Sequence, residues 1–173
     1  MAQVDRRCIV AIYPNSKGFA FSVFEGSSRP IDWGLKEAHS KRRNARCRQL
    51  AETLLSQYQP AVLIVEHYAA RRTQRSLRVR RLNRTLKAMG IRLGVEVHQV
   101  CRTEIRSCFL AHTKHEIAIS ISQQFPCFEH WMPPARKSWM TEDIRMSLFD
   151  AVALIITHFG STEPNVITGK HSE

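Results

Sequence analysis

The order of elements in the sequence predicts an α/β fold in a single domain: one mixed five-stranded sheet flanked by helices. Three observations lead there. The chain opens with three strand-like segments and no helix between them. Helix and strand signals then alternate before the chain closes on helices alone. Its 173 residues, 43% of them apolar, suit one sizeable core.

"CIVAIY" at 8–13 is a short, β-branched apolar run, as for a strand buried on both faces, with Cys8 as a small hydrophobe within it. "PNSKG" reads as a turn. "FAFSVFE" alternates Phe19, Phe21 and Val23 against Ala20, Ser22 and Phe24, so it is the second strand. "IDWGLKEA" supplies the third. Residues 40–58 carry Cys47, Leu50, Ala51, Leu54, Leu55 and Tyr58 at helical spacing, with Ser40 as the expected N-cap and Pro60 as the stop. "AVLIVEHY" is a fourth, buried strand. Residues 71–89 permit a helix with a narrow apolar stripe through Leu82, Leu86 and Met89. "GIRLGVEVHQV" gives the fifth strand after Gly90. Two shorter helices come next, in "CRTEIRSCFL" and "KHEIAISISQQF", and then the loop "PCFEHWMPPARKSWM". Thr141 is expected to open the last helix and Gly160 to end it, leaving a domain at 1–160 and a frayed tail at 161–173. A three-strand meander before the first helix distinguishes a ribonuclease-H-like arrangement from α/β folds that alternate strand and helix from the start.

A net charge of +11 and a pI near 10.0 point to a polyanionic partner, of which nucleic acid is the commonest. Five cysteines, an odd number with no CxxC spacing, support neither a disulfide framework nor a zinc knuckle and suit a reducing cytoplasm. "MAQVDRRCIV" has no long apolar run behind its charges, and "AVALII" is too short to cross a bilayer, so a soluble protein is expected.

Two carboxylates stand out. Glu66 ends the buried strand "AVLIVE", at the C-terminal end of a central strand, where open α/β folds build their sites. Asp150 lies inside "MSLFDAVALIITH", where a carboxylate is costly unless paired, hydrogen-bonded or metal-bound. The plainer readings are a strand-end residue reaching solvent and a partner for a nearby Arg or His. Brought together, the two acids suit hard oxygen-seeking cations, as in two-metal phosphodiester cleavage.

These segments resemble the RuvC family of Holliday-junction resolvases. "IVAIYPNSKGFAFSVFE" looks like that family's first hairpin, "VLIVEHY" its second acidic strand, and "SLFDAVALIITH" its terminal helix. The resemblance implies Glu66 and Asp150 as ligands of magnesium, or manganese. It implies a DNA-phosphate contact for Lys114, a homodimer, and branched, junction-like DNA as substrate. The chain departs from the family at two of four acidic positions, which hold Tyr13 and Ser147. Asp143, two turns before Asp150, is about 10.5 Å away along an ideal helix axis, too far to share an ion, and suits the helix N-terminus. Asp32 falls on the third strand, away from the site. His67 is a general-base candidate whose strand position turns it to the other sheet face. Ser147 can offer only a hydroxyl, and a tyrosine phenol is protonated at neutral pH.

The clustered positive charge lies in "SKRRNARCR" and "RRTQRSLRVRRLNRTLK". Arg75, Arg78, Arg81 and Arg84 recur near helical spacing as a ridge, broadened by Arg71, Arg72, Arg80 and Lys87, and guanidinium groups grip phosphate oxygens in pairs. Trp131, Trp139 and Arg136 either stack on a base or simply cover core. Three functions are compatible with these features: a magnesium-dependent endonuclease for branched DNA with an incomplete acidic site, a catalytically lapsed DNA- or RNA-binding protein of the same fold, and a basic assembly protein that uses its helices as contact surface.

Overall fold

The computed structural model describes residues 6–68 and 74–162. Five strands form one sheet in the order β3-β2-β1-β4-β5. The strands are β1 (Cys8–Pro14), β2 (Gly18–Glu25), β3 (Arg29–Glu37), β4 (Val62–His67) and β5 (Glu96–Cys101). The first three are antiparallel neighbours, and β4 and β5 run parallel to β1. The helices are α1 (Arg43–Tyr58), α2 (Leu77–Arg92), α3 (Arg102–Phe109), α4 (Lys114–Gln124) and α5 (Met146–Thr162). No helix among the described residues is long and apolar enough to cross a membrane.

Alternation along β1 and β4 sorts the core into two layers. Ile9, Ala11, Tyr13, Val62 and Ile64 face α4 and α5. Val10, Ile12, Leu63 and Val65 face α1 and α2. The expected mixed sheet with helices on both faces is what forms.

Several boundaries differ from expectation, each for a local reason. Helix α1 starts at Arg43 with Arg42 as its N-cap residue, so Ser40 caps nothing. It does end before Pro60, with Gln59 in the left-handed region at φ 44°. Helix α2 begins later, at Leu77, because Ser76 accepts a hydrogen bond from the Val79 amide. It runs through Gly90 to Arg92, and Gly94, at φ 72°, makes the reversal into β5. The segment expected as a loop contains a 3-10 turn at Pro126–Trp131, whose Phe128 meets Trp33 and Phe149 edge-on. The last helix opens at Met146, not Thr141, and continues past Gly160 to Thr162. Asp143 lies before it, in a two-toothed pair with Arg145 rather than on the helix face. The expected tail from 163 onward, with Arg71 and Arg72, lies outside the described residues.

The turn between β1 and β2 ties the sheet to α5. Asn15 Oδ1 accepts from the backbone N–H groups of Lys17 and Gly18, and its Nδ2 donates to Ser147 Oγ at 3.0 Å. Gly18 is required here by close approach: a Cβ on it would lie 2.0 Å from the Lys36 carbonyl oxygen of β3. Gly18→Ala should therefore lower stability by about 2–3 kcal/mol, the cost of overpacking against backbone that must shift. Urea denaturation checks this, and an unchanged midpoint would refute the close-approach reading.

Candidate functional site

Two strand tips, a helix start and a helix interior build the site. Tyr13 on β1 and Glu66 on β4 each stand two residues beyond the registered pair Ala11–Ile64. Both therefore reach the same end of the sheet, on the α5 face. Asp150, one turn into α5, comes up beneath them. All three are buried: Tyr13 is 1%, Glu66 3% and Asp150 4% exposed. Strand β5 ends at Cys101, and the next residue, Arg102, opens α3 at that same end. Glu104 Oε2 accepts from the Cys101 amide at 2.7 Å, which fixes the start of α3.

Arg102 is the centre of the cluster. Its Nη2 donates to Tyr13 Oη and to Asp150 Oδ1, each at 3.1 Å, and lies 3.5 Å from Glu66 Oε1. Lys114 closes the other side, with Nζ 2.9 Å from Asp150 Oδ2 and 3.0 Å from Glu142 Oε1. A mutual cap at the start of α4 positions it: Thr113 Oγ1 accepts from the Glu116 amide, and the Glu116 carboxylate accepts from the Thr113 amide. Arg75 reaches Glu66 Oε2 at 3.4 Å. Its guanidinium sits 4.9 Å from the Tyr13 ring centroid, and Lys114 Nζ sits 5.6 Å from the same ring. Tyr13 thus serves two cations through its π face and a third through its oxygen.

The expected pair, Glu66 and Asp150, does meet, across a single guanidinium nitrogen. Ser147 lies beside them, but its hydroxyl is spent within the protein: it accepts from Asn15 and donates to the Ile144 carbonyl at 2.6 Å. Asp32 is remote and accepts from the Tyr58 hydroxyl. His67 turns to the opposite sheet face, beside Gln99.

Electrostatics track burial. Loss of hydration pushes the Glu66 carboxyl up from 4.5 to about 7; the Asp150 charge adds to this, while Arg102 and Lys114 oppose it. Burial works against the charge on Arg102, but Asp150 and Glu66 outweigh it, so its affinity for its proton rises. Arg75 is moved the other way, downward, by burial.

This donor set does not fit magnesium or manganese. Such ions want about six oxygens in octahedral order. Here two carboxylates converge, one of them half-protonated near neutral pH, and both already hold fixed cations. The other two positions carry a phenol and a serine with both hydrogen-bonding roles filled. Among the described residues no group of three His, Cys, Asp or Glu side chains is placed to share an ion.

The arginine ridge expected on α2 divides. Arg75 turns into the site, and Arg78 donates to the Asn15 carbonyl at 2.6 Å and to Asn44 Oδ1 at 3.2 Å. Those two order the protein itself. Arg80, Arg81 and Arg84 are exposed. Arg80, Arg84 and Lys87 line a groove of about 250 Å³ with His67, Asn83 and Gln99. Arg102 is the residue that sequence reasoning missed. Its signal was there: it directly follows the C-terminal end of the fifth strand, the same kind of position that singled out Glu66.

The sequence matches no protein-family model and no curated protein. Its fold matches those of Holliday-junction resolvases. Thermus thermophilus RuvC in complex with Holliday junction substrate superposes with a TM-score of 0.68 at 18% identity, over 90% of this chain and 94% of that one. The yeast mitochondrial Holliday junction resolvase gives 0.56 at 15% identity, over 89% and 78% of the two chains. The fowlpox virus resolvase with its Holliday junction DNA gives 0.55 at 12% identity, over 88% and 99%. The chain therefore has the RuvC-like, ribonuclease-H-like fold.

The cluster makes two outcomes measurable. Asp150→Asn leaves Arg102 and Lys114 without their shared carboxylate and should cost about 3 kcal/mol, while adding Arg102→Met should restore part of it. A double-mutant cycle in urea checks this, and strict additivity would refute the bridge. Glu66 binds a proton more tightly in the folded than in the unfolded chain. Its contribution is complete below 4.5 and is lost as pH rises to about 7. Stability should fall across that window by at most about 1.4 kcal/mol per pH unit, and Glu66→Gln should flatten the fall. Equal slopes in the two proteins would overturn the assignment.

Proposed function

We propose that this chain is a RuvC-like protein that binds branched, junction-like DNA through phosphate contacts, with its ancestral metal site converted into a fixed ion network. One observation carries the reading: the Arg102 guanidinium stands where the two acids converge. Cations attached to the chain neutralise Glu66 and Asp150, leaving no role there for a mobile ion. Arg75, Arg102 and Lys114 meet Glu66, Asp150 and Glu142, so the cleft is close to charge balance and the phosphate-binding surface lies beside it. The exposed arginines of α2 supply that surface, and a net charge of +11 attracts a polyanion at a distance. The fold supports branched DNA as the partner, since structures sharing it hold Holliday junction substrates. A homodimer presenting two such surfaces suits a four-way junction.

A second reading, the metal-dependent endonuclease, is favoured by one fact. Glu66 and Asp150 both lie within 3.5 Å of the same nitrogen, so an ion could span them if Arg102 swung away.

A labelled four-way junction separates the two. Binding in chelator should persist and weaken steeply with salt, with a slope near −0.9 per phosphate neutralised. Junctions should stay intact with magnesium or manganese. Cleavage that needs either ion, abolished by Asp150→Asn, would establish the endonuclease instead. Equal affinity for single-stranded RNA would overturn the junction assignment, and mass measurement of the free and bound protein tests the dimer. Tyr13→Asp with Ser147→Asp and Arg102→Ala should recreate an ion site and gain about 2 kcal/mol of stability from saturating magnesium, where the natural chain gains none.

A further inference from the structure

A cleft of about 420 Å³ opens beside the ion network and shares Lys114 and Glu142 with it. Nothing in the phosphate-binding reading uses it. Its walls include Pro133, Pro134 and Met146, which form an apolar slot between the start of α4 and the segment before α5. Polar groups converge on that slot. His115 lines it, and its Nδ1 is buried with no hydrogen-bond partner among the described residues. The Glu142 and Asp143 carboxylates also line it, each with accepting capacity beyond the cation it holds. Arg136 flanks the opening, and the nearby Trp139 is 77% exposed, with Lys137 set 5.3 Å from its ring.

Apolar walls and acidic acceptors, ringed by cations, match a nucleobase attached to a phosphate chain. Proline rings and a thioether give a base face its contact, and carboxylates accept from exocyclic amines. We propose that this cleft receives one unstacked nucleobase carrying an exocyclic amine, from a strand whose phosphate lies against the neighbouring cations. Thymine, whose exocyclic groups are carbonyl oxygens and a methyl, is disfavoured by the same carboxylates. The inference rests on the nucleic-acid reading of the chain and adds a base-selective subsite to it.

The test uses four-way junctions with 2-aminopurine at the exchange point, a base whose fluorescence rises when it leaves the stack. Among the described residues no indole or phenol ring lines the cleft to quench it. Binding is followed separately by anisotropy. The full chain should raise the fluorescence several-fold at saturation. Ala135→Leu, an exposed position that fills the cleft without touching the core, should abolish that rise and weaken binding by roughly tenfold. Glu142→Gln with Asp143→Asn should erase the preference for adenine or cytosine over thymine at the same position. Anisotropy showing tight binding without a fluorescence rise, or a rise that both variants leave unchanged, overturns the base site and leaves junction binding intact. Failure to bind any junction in the anisotropy channel overturns both proposals together.

Discussion

One nitrogen atom organises this end of the molecule. Arg102 Nη2 touches the end of β1 through Tyr13 and the first turn of α5 through Asp150, and lies within Coulombic reach of the end of β4 at Glu66. Two carboxylates less than one-twentieth exposed would be untenable without such a partner, because a buried like-charged pair is penalised by lost hydration and mutual repulsion alike. The guanidinium answers both costs without leaving the chain. All of these contacts use Nη2, and the buried Nη1 has no hydrogen-bond partner among the described residues.

The position taken by Tyr13 reads differently in this light. An aspartate there would add a third negative charge and call for a second positive one. A phenol offers an oxygen to Arg102 and a π face to Arg75 and Lys114, so three cations are accommodated with one formal charge fewer. Ser147 completes the change. Its hydroxyl ties α5 to the β1–β2 turn through Asn15, making a mechanical joint of a position that could hold a ligand.

Much of this was legible from residue order. Five strands and their flanking helices could be placed because apolar runs such as "AVLIV" and alternating ones such as "FAFSVF" have few other uses, and the meander at the start set the topology. The meeting of Glu66 and Asp150 was legible from a strand end and an acid among apolar helix residues. Helix limits were less so. Gly90 resembled a stop but is interior, kept small by Val97 and Leu63, against which a Cβ would come within 2.6 and 3.0 Å. Thr141 resembled a start, yet the segment to Arg145 is held by turns and by the Asp143–Arg145 pair. The arginines show the sharper limit. Spacing puts Arg75, Arg78, Arg81 and Arg84 on one ridge, but which of them point inward depends on acceptors that only the tertiary fold supplies: Glu66, the Asn15 carbonyl and Asn44.

The sheet's outer margin at β3 has a consequence of its own. An unpaired margin normally invites another strand to add on. Here Pro30 removes a backbone donor, the pairing slips between Val23 and Phe24, and Arg29, Asp32, Lys36 and Glu37 scatter charge along the rim. That margin is ill-suited to templating a neighbour's backbone, so self-association by sheet extension across β3, and the amyloid-like stacking it seeds, is discouraged by local sequence alone. At this margin, copies of this protein are steered to meet through side chains, where geometry and charge can be selective.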